Sequence, residues 1–205
     1  MNFSEGALRP KLTPNIASQL ADIEPSIHHG VKYYPCSATL KDGTRLDCVY
    51  LVAQYDYLKL WGLYPHRETA LENIVSVESS SFRLPWKAAN KLYDAGESGM
   101  GYMIFTVKFS DGSTHAYQSG NAVDFIFYPA GKSVADVAEV EPHVGRDDNP
   151  LRNPAFSVCL YCDADTERVF PMGLTRPMEI TRSSPWRRLR SRLRRAFSSA
   201  VPRRQ

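Results

Sequence analysis

The sequence predicts a mostly β protein (all-β to α+β) of two consecutive small antiparallel units, and three observations point there. Tyr34, Cys36, Ala38 and Leu40 alternate with smaller or polar neighbours, as do Met103, Phe105, Val107 and Phe109. That is the period-two pattern of a half-buried strand. Each run leads into an Asp-Gly pair, Asp42-Gly43 and Asp111-Gly112, where glycine accepts the positive φ of a hairpin turn. Superposing the two pairs aligns both runs, and each copy later shows Tyr-Pro (Tyr64-Pro65, Tyr128-Pro129) and a similar strand, 73–78 and 136–141. Together these have the form of a degenerate tandem repeat.

The elements follow in order. Thr13 can cap and Pro14 can open a helix over 13–23, with Ile16, Leu20 and Ile23 on one face. A three-residue loop ending at Gly43 returns Leu46, Cys48 and Tyr50 to the face of Ala38, Cys36 and Tyr34. A two-residue loop would turn Arg45 and Asp47 inward, at a heavy desolvation cost. Further strands are expected around 51–54, 57–62 and 74–78. Pro85 opens and Gly96 closes a second helix over 85–95, with Trp86, Ala89 and Tyr93 on the face toward a sheet.

Beyond the second hairpin, 142–154 reads as a charged, proline-bounded linker. A strand over 155–162 is expected to turn across Asp163-Ala164-Asp165 into a short partner at 168–170, with 171–184 irregular. The chain so divides into a helical lead-in (1–30), a first β-unit (31–83), a connecting helix and Gly-rich loop (84–99) and a second β-unit (100–142). A linker with a terminal hairpin (143–181) and a basic arm (182–205) complete it. Short twisted hairpins tend to curl closed, so each unit is expected to form a small barrel, resembling in architecture those of SH3 or Sm type.

Charge divides the chain more sharply than fold. Residues 182–205 hold nine arginines and no acidic residue, while the remaining 16 basic side chains face 22 acidic ones. A strongly basic end on an acidic body marks an interaction arm. Within it Ser184 can cap and Pro185 can start a helix that places Trp186, Leu189, Leu193 and Phe197 in a narrow apolar stripe. Arg187, Arg188, Arg190, Arg192, Arg194 and Arg195 flank the stripe. Such a helix is marginal alone because its arginines repel one another, and an anionic partner relieves that repulsion. Nucleic acid is the first expectation, through guanidinium forks on phosphate, slightly ahead of an anionic membrane surface. A protein groove could take the same stripe, and a solvated tail is the plain alternative.

Other motifs point less far. In the 96–101 loop the order is helix, loop, strand, and Glu97 would repel phosphate, so no phosphate cradle is expected. Met100 stands where a nucleophile elbow after Ser98 would need glycine. Glu97, Ser98, His115, Ser119, Asn121 and Asp124 remain a possible loop site, and Ser98, His115 and Asp124 an imaginable catalytic trio, though only geometry defines a triad. Cys159 and Cys162 have the spacing of a zinc half-site that Cys36 and Cys48 alone could complete. Since Leu160-Tyr161 reads as strand, buried thiols are expected, with no metal or cofactor. His28-His29 reads as an exposed pair. Tyr33, Tyr55, Tyr57, Trp61 and Tyr64 exceed what one sheet face hides, so a second buried face is expected in preference to an exposed aromatic platform.

No apolar run approaches the roughly 20 residues of a membrane-spanning helix, and the first ten residues lack a secretory signal's basic start and apolar stretch. A cytoplasmic protein with reduced thiols is expected. The functional expectation is a non-catalytic binding or adaptor protein. Its β-units would contact protein and its arm an anionic partner. The alternatives are an enzyme with a site between the repeats and a structural subunit of a larger assembly.

Overall fold

The computed structural model describes residues 8–169, which form two sheets. In chain order the elements begin α1 (Pro14–Ala21), β1 (Ser26–His28), β2 (Val31–Leu40), β3 (Arg45–Ala53), α2 (Gln54–Trp61) and β4 (Ile74–Ser79). They continue with α3 (Trp86–Ala95), β5 (Met103–Phe109), β6 (Thr114–Ser119), β7 (Val137–Pro142), β8 (Leu151–Arg152), β9 (Ser157–Tyr161) and α4 (Ala164–Val169). The first sheet runs β1-β2-β3-β9, with β4 also on β2; the second runs β7-β5-β6-β8.

The two units share their strand order and the register of the third strand on the first. In each, a helix precedes an Asp-Gly hairpin, a third strand returns antiparallel to the first hairpin strand, and a fourth lies parallel to the second. Ala38 pairs with Val77 and Leu40 with Ile74; Val107 pairs with Val140 and Phe109 with Val137. The register slips at the same step in both, between Thr39 and Leu40 and between Lys108 and Phe109. The turns match as well: Gly43 has φ 84° and Gly112 φ 85°. Leu40 N donates to Thr44 O and Phe109 N to Ser113 O, so the first loop has the three residues expected.

Neither sheet closes into a barrel. The third strand of each unit goes back to the first instead of continuing from the second, and the edges are protected by other means. Along β4, Asn15 Nδ2 donates to Val75 O (3.2 Å) and Gln19 Oε1 accepts Val77 N (2.8 Å). Two residues one helical turn apart thereby blunt a strand edge that would otherwise invite pairing.

Among the described residues, three apolar clusters form the core. Ile16, Leu20 and Ile23 pack with Cys36, Ala38, Val49, Leu51 and Cys159 on one face of the first sheet. Ala89, Leu92 and Tyr93 cover Phe105, Val107, Phe109 and Tyr117 on the second. Trp86, expected on that face, is 40% exposed. The third cluster lies on the other face of the first sheet, where Tyr33, Tyr50, Val52, Tyr57 and Leu58 receive Phe125 from the second unit. That second buried face is where Tyr33 and Tyr57 go, and Trp61 and Tyr64 pack against it.

Three local readings change. The strand expected over 57–62 is α2: Gln54, Tyr57 and Leu58 are buried at helical spacing, and Gly62 ends the turn by donating to Leu58 O. The strand at 168–170 is replaced over its described part by α4. Asp163 caps this helix, its Oδ1 accepting from Thr166 N (2.8 Å) and Oγ1 (2.6 Å), a local hydrogen bond that outcompetes a hairpin turn. Within the expected linker, β8 pairs with Tyr117 and Gln118.

The connection from β7 to β8 crosses the second sheet closely at Gly145, which has φ 95°. A Cβ there would stand 2.6 Å from Ala116 Cβ and 2.7 Å from Thr106 Oγ1. Gly145→Ala is therefore expected to cost about 2–4 kcal/mol, from backbone strain and overpacking together. A urea unfolding curve within 0.5 kcal/mol of the unaltered chain would contradict this.

Candidate functional site

A second irregularity in the first hairpin positions the junction between the units. From the turn the register puts Ala38 opposite Leu46, but one extra residue enters β3 before Cys36 meets Val49. Such a bulge inverts which face later side chains occupy. Asp47 O at the bulge accepts from Ser37 Oγ (3.2 Å) and Ser80 Oγ (2.5 Å). Unit two pairs without that slip from Met103–Ser119 to Lys108–Thr114. In consequence Cys48 and Tyr50 face away from Cys36 and Ala38, correcting the expected face, and Tyr50 points to the second unit.

What Tyr50 meets there is Asp124, which is wholly buried. The carboxylate accepts hydroxyls from Ser26, from Tyr50 (3.0 Å) and from Tyr93 (2.5 Å), drawing β1, β3 and α3 onto one side chain. Burial raises its pKa, while the three hydroxyls and the positive Arg83 oppose the rise. Burial and the Asp124 charge hold Tyr50 and Tyr93 well above the usual phenol range. Arg83 donates to Glu24 O, and its buried Nε has no hydrogen-bond partner. With its carboxylate wholly buried and held by three hydroxyls, this network ties the units together.

His28 borders the same junction. Its ring stacks on Tyr93 (4.5 Å between centroids) and lies 5.9 Å from Trp61, so it is not the exposed residue expected. Burial, helped by His29, lowers its pKa to about 4. An unfolded histidine takes up its proton near 6.5. The unfolded state therefore binds more protons between these values, and stability falls as pH drops from about 6.5 to about 4, by up to about 3 kcal/mol. His28→Phe is expected to flatten that limb of a pH–stability curve, and an unchanged limb would contradict the assignment.

The imagined trio is not assembled. Ser98 Oγ lies 2.8 Å from Nδ1 of His143, not from His115, and accepts the Ile104 amide (2.9 Å). His143 Nε2 faces Ala95 O (3.3 Å), with no carboxylate behind it. Glu97 accepts Gly101 N, and Arg146 reaches Tyr102 OH and Ser98 O, so this loop is a tied connector. His115 packs its ring against Phe109 (5.9 Å) and Ser119 Oγ donates to Gly120 O. Asn121 leaves a buried Oδ1 without a partner.

The cysteines do not converge either. Cys36 and Cys159 lie under α1, Cys48 lies in the opposite cluster, and Cys162 N pairs with Pro10 O. Burial holds the thiols of Cys36 and Cys48 up at about 12, so they stay protonated. Among the described residues no cluster of three His, Cys, Asp or Glu is placed to hold a metal ion.

The surface feature that sequence reasoning missed is a groove of about 400 Å³ between the units, at the start of β3. Phe82, Phe127 and Phe156 line it with Leu46, Arg45 and Arg67. Phe127 is 50% and Phe156 38% exposed. Phe82 and Phe127 meet edge to face (5.8 Å, 88°), and Phe156 stands at right angles to buried Tyr50 (5.1 Å, 87°). Arg45 is committed to Asp47 (2.8 Å) and Glu78 (2.6 Å). Two of its phenylalanines lie two residues from a proline, at Phe127-Tyr128-Pro129 and Pro154-Ala155-Phe156, a pattern too weak to mark a groove.

The arm, including Trp186, Leu189, Leu193, Phe197 and all its arginines, lies outside the described residues. Among those described, no helix is long and apolar enough to cross a membrane. Compared with protein-family models, curated proteins and solved structures, the chain gives no match.

Proposed function

We propose that this chain is a non-catalytic binding or adaptor protein of the cytoplasm. Its two β-units form a rigid platform for protein contacts, and its arginine-rich C-terminal arm engages nucleic acid. One observation carries the proposal: nine arginines without an acidic residue over 182–205, attached to a body in which 22 acidic side chains outnumber 16 basic ones. Guanidinium forks match phosphate oxygens, and the acidic body disfavours collapse of nucleic acid onto the rest of the surface.

The test compares the full chain with one ending at Thr181, against a fluorescent random-sequence duplex and against phosphatidylserine vesicles. Tail-dependent binding to the duplex, stronger than to the vesicles, is expected. Preference for vesicles would move the arm to membranes, and equal duplex binding by both chains would remove its role.

A further inference from the structure

We infer that the groove lined by Phe82, Phe127 and Phe156 is a seat for unpaired bases, so that the nucleic acid held by the arm is single-stranded where it crosses the body. This rests on the reading of the arm as a nucleic-acid ligand and names the form of nucleic acid. Three features support it. The phenylalanines are not a flat apolar patch: Phe82 and Phe127 stand perpendicular, and Phe156 is braced on buried Tyr50. Perpendicular rings make a notch that takes a flat ring, one wall stacking on its face and the other meeting its edge. Phe156 is braced on buried Tyr50 and Phe82 packs against the same cluster, so stacking a base on them costs little ordering.

The groove also sets an exposed arginine among its lining residues. Arg45 and Arg67 line it against Asp47 alone. Arg45 is occupied by Asp47 and Glu78, which leaves exposed Arg67 to meet a phosphate or to stack beside a base. The chain's own basic arm is a poor occupant, since its arginines would approach these. A duplex keeps its base faces stacked inside and has none to offer, whereas a single strand presents them.

The experiment uses the full chain with a fluorescent oligothymidylate and a duplex of the same length. The variants are Phe127→Ala combined with Phe156→Ala, and Arg67→Gln. Both phenylalanines are partly exposed, so the double variant is expected to fold, which circular dichroism checks. Single-strand affinity should fall tenfold or more in the double variant, with duplex affinity within about twofold, because each stacked base contributes substantially to single-strand binding. Photocrosslinking with 5-iodouracil oligomers should label Phe127 or Phe156.

Equal losses for both probes, no loss for either, or crosslinks confined to 182–205 would overturn the inference and leave the arm's role standing. Tighter single-strand binding after removal of 182–205 would show the arm itself seated in the groove, and also overturns it. If the full chain binds neither probe, the nucleic-acid reading fails and the inference fails with it.

Discussion

Asp124→Ala is expected to destabilise the protein by about 3–5 kcal/mol, because it strands three buried hydroxyls at once. Ser26, Tyr50 and Tyr93 all direct their hydroxyls at this carboxylate, and all three residues are buried. Tyr93 is the least exposed to the change, since its oxygen also accepts Val123 N (3.3 Å) and keeps that contact. The truncation also removes the buried charge that most favours the positive form of Arg83. For a chain of this size the loss corresponds to a fall in Tm of about 10 °C.

Companion variants separate the parts. Tyr50→Phe deletes one donor and leaves the acceptor two others, so about 1–2 kcal/mol is expected. Asp124→Asn keeps an acceptor oxygen and should fall between the two. The pH response gives an independent check. The folded pKa of Asp124 is raised above its unfolded value, so the ionised form opposes folding and that penalty is relieved as pH falls through the folded pKa. This is opposite in sign to His28, and Asp124→Asn should remove it. A loss below 1 kcal/mol for Asp124→Ala in urea unfolding would mean that the junction is held by Phe125 and its apolar neighbours alone.

Much of the frame was legible because its signals are local. The Asp-Gly turns need positive φ at Gly43 and Gly112, and alternating runs on both sides of each fix the pairing, so superposing the turns found the repeat. Thr13 and Gly96 mark helix ends by chemistry that acts within one turn of the chain. The failures are of the opposite kind. Barrel closure depends on where the third strand goes, and nothing local to β4 or β7 says that it returns to the first strand. The bulge near Cys48 adds one residue, and the hydroxyls that bond its Asp47 O, from Ser37 and Ser80, come from elsewhere in the chain. Residues 57–62 carry apolar Tyr57, Leu58, Leu60 and Trp61, a run that suits a strand buried on both faces as well as a helix; Gln54, Tyr57 and Leu58 are buried at helical spacing.

The junction shows the same limit. Asp124 was singled out in the sequence, but as part of a loop with His115 and Ser119. Its true partners, Ser26, Tyr50 and Tyr93, stand 98, 74 and 31 residues away. Tyr50 reaches it only through the bulge, so its role could not be read without the register. The groove was hidden because its phenylalanines come from three separated segments, 82, 127 and 156, each unremarkable alone.

Removing 182–205 is the change with the largest expected effect on binding, a loss of at least 100-fold at low salt. Arginines on phosphate displace condensed counterions, so affinity falls linearly in log–log form, with a slope of about −0.9 per neutralised phosphate on a duplex. If most of the nine arginines engage, the slope approaches about −6 to −8. The acidic remainder, ending at Thr181, should show weak binding and a shallow slope. The most direct measurement is therefore the affinity of the full chain for a random-sequence duplex, titrated across salt. A slope steeper than about −5 that collapses without the arm is expected; a slope near zero, or the same slope from both chains, would contradict the role given to this segment.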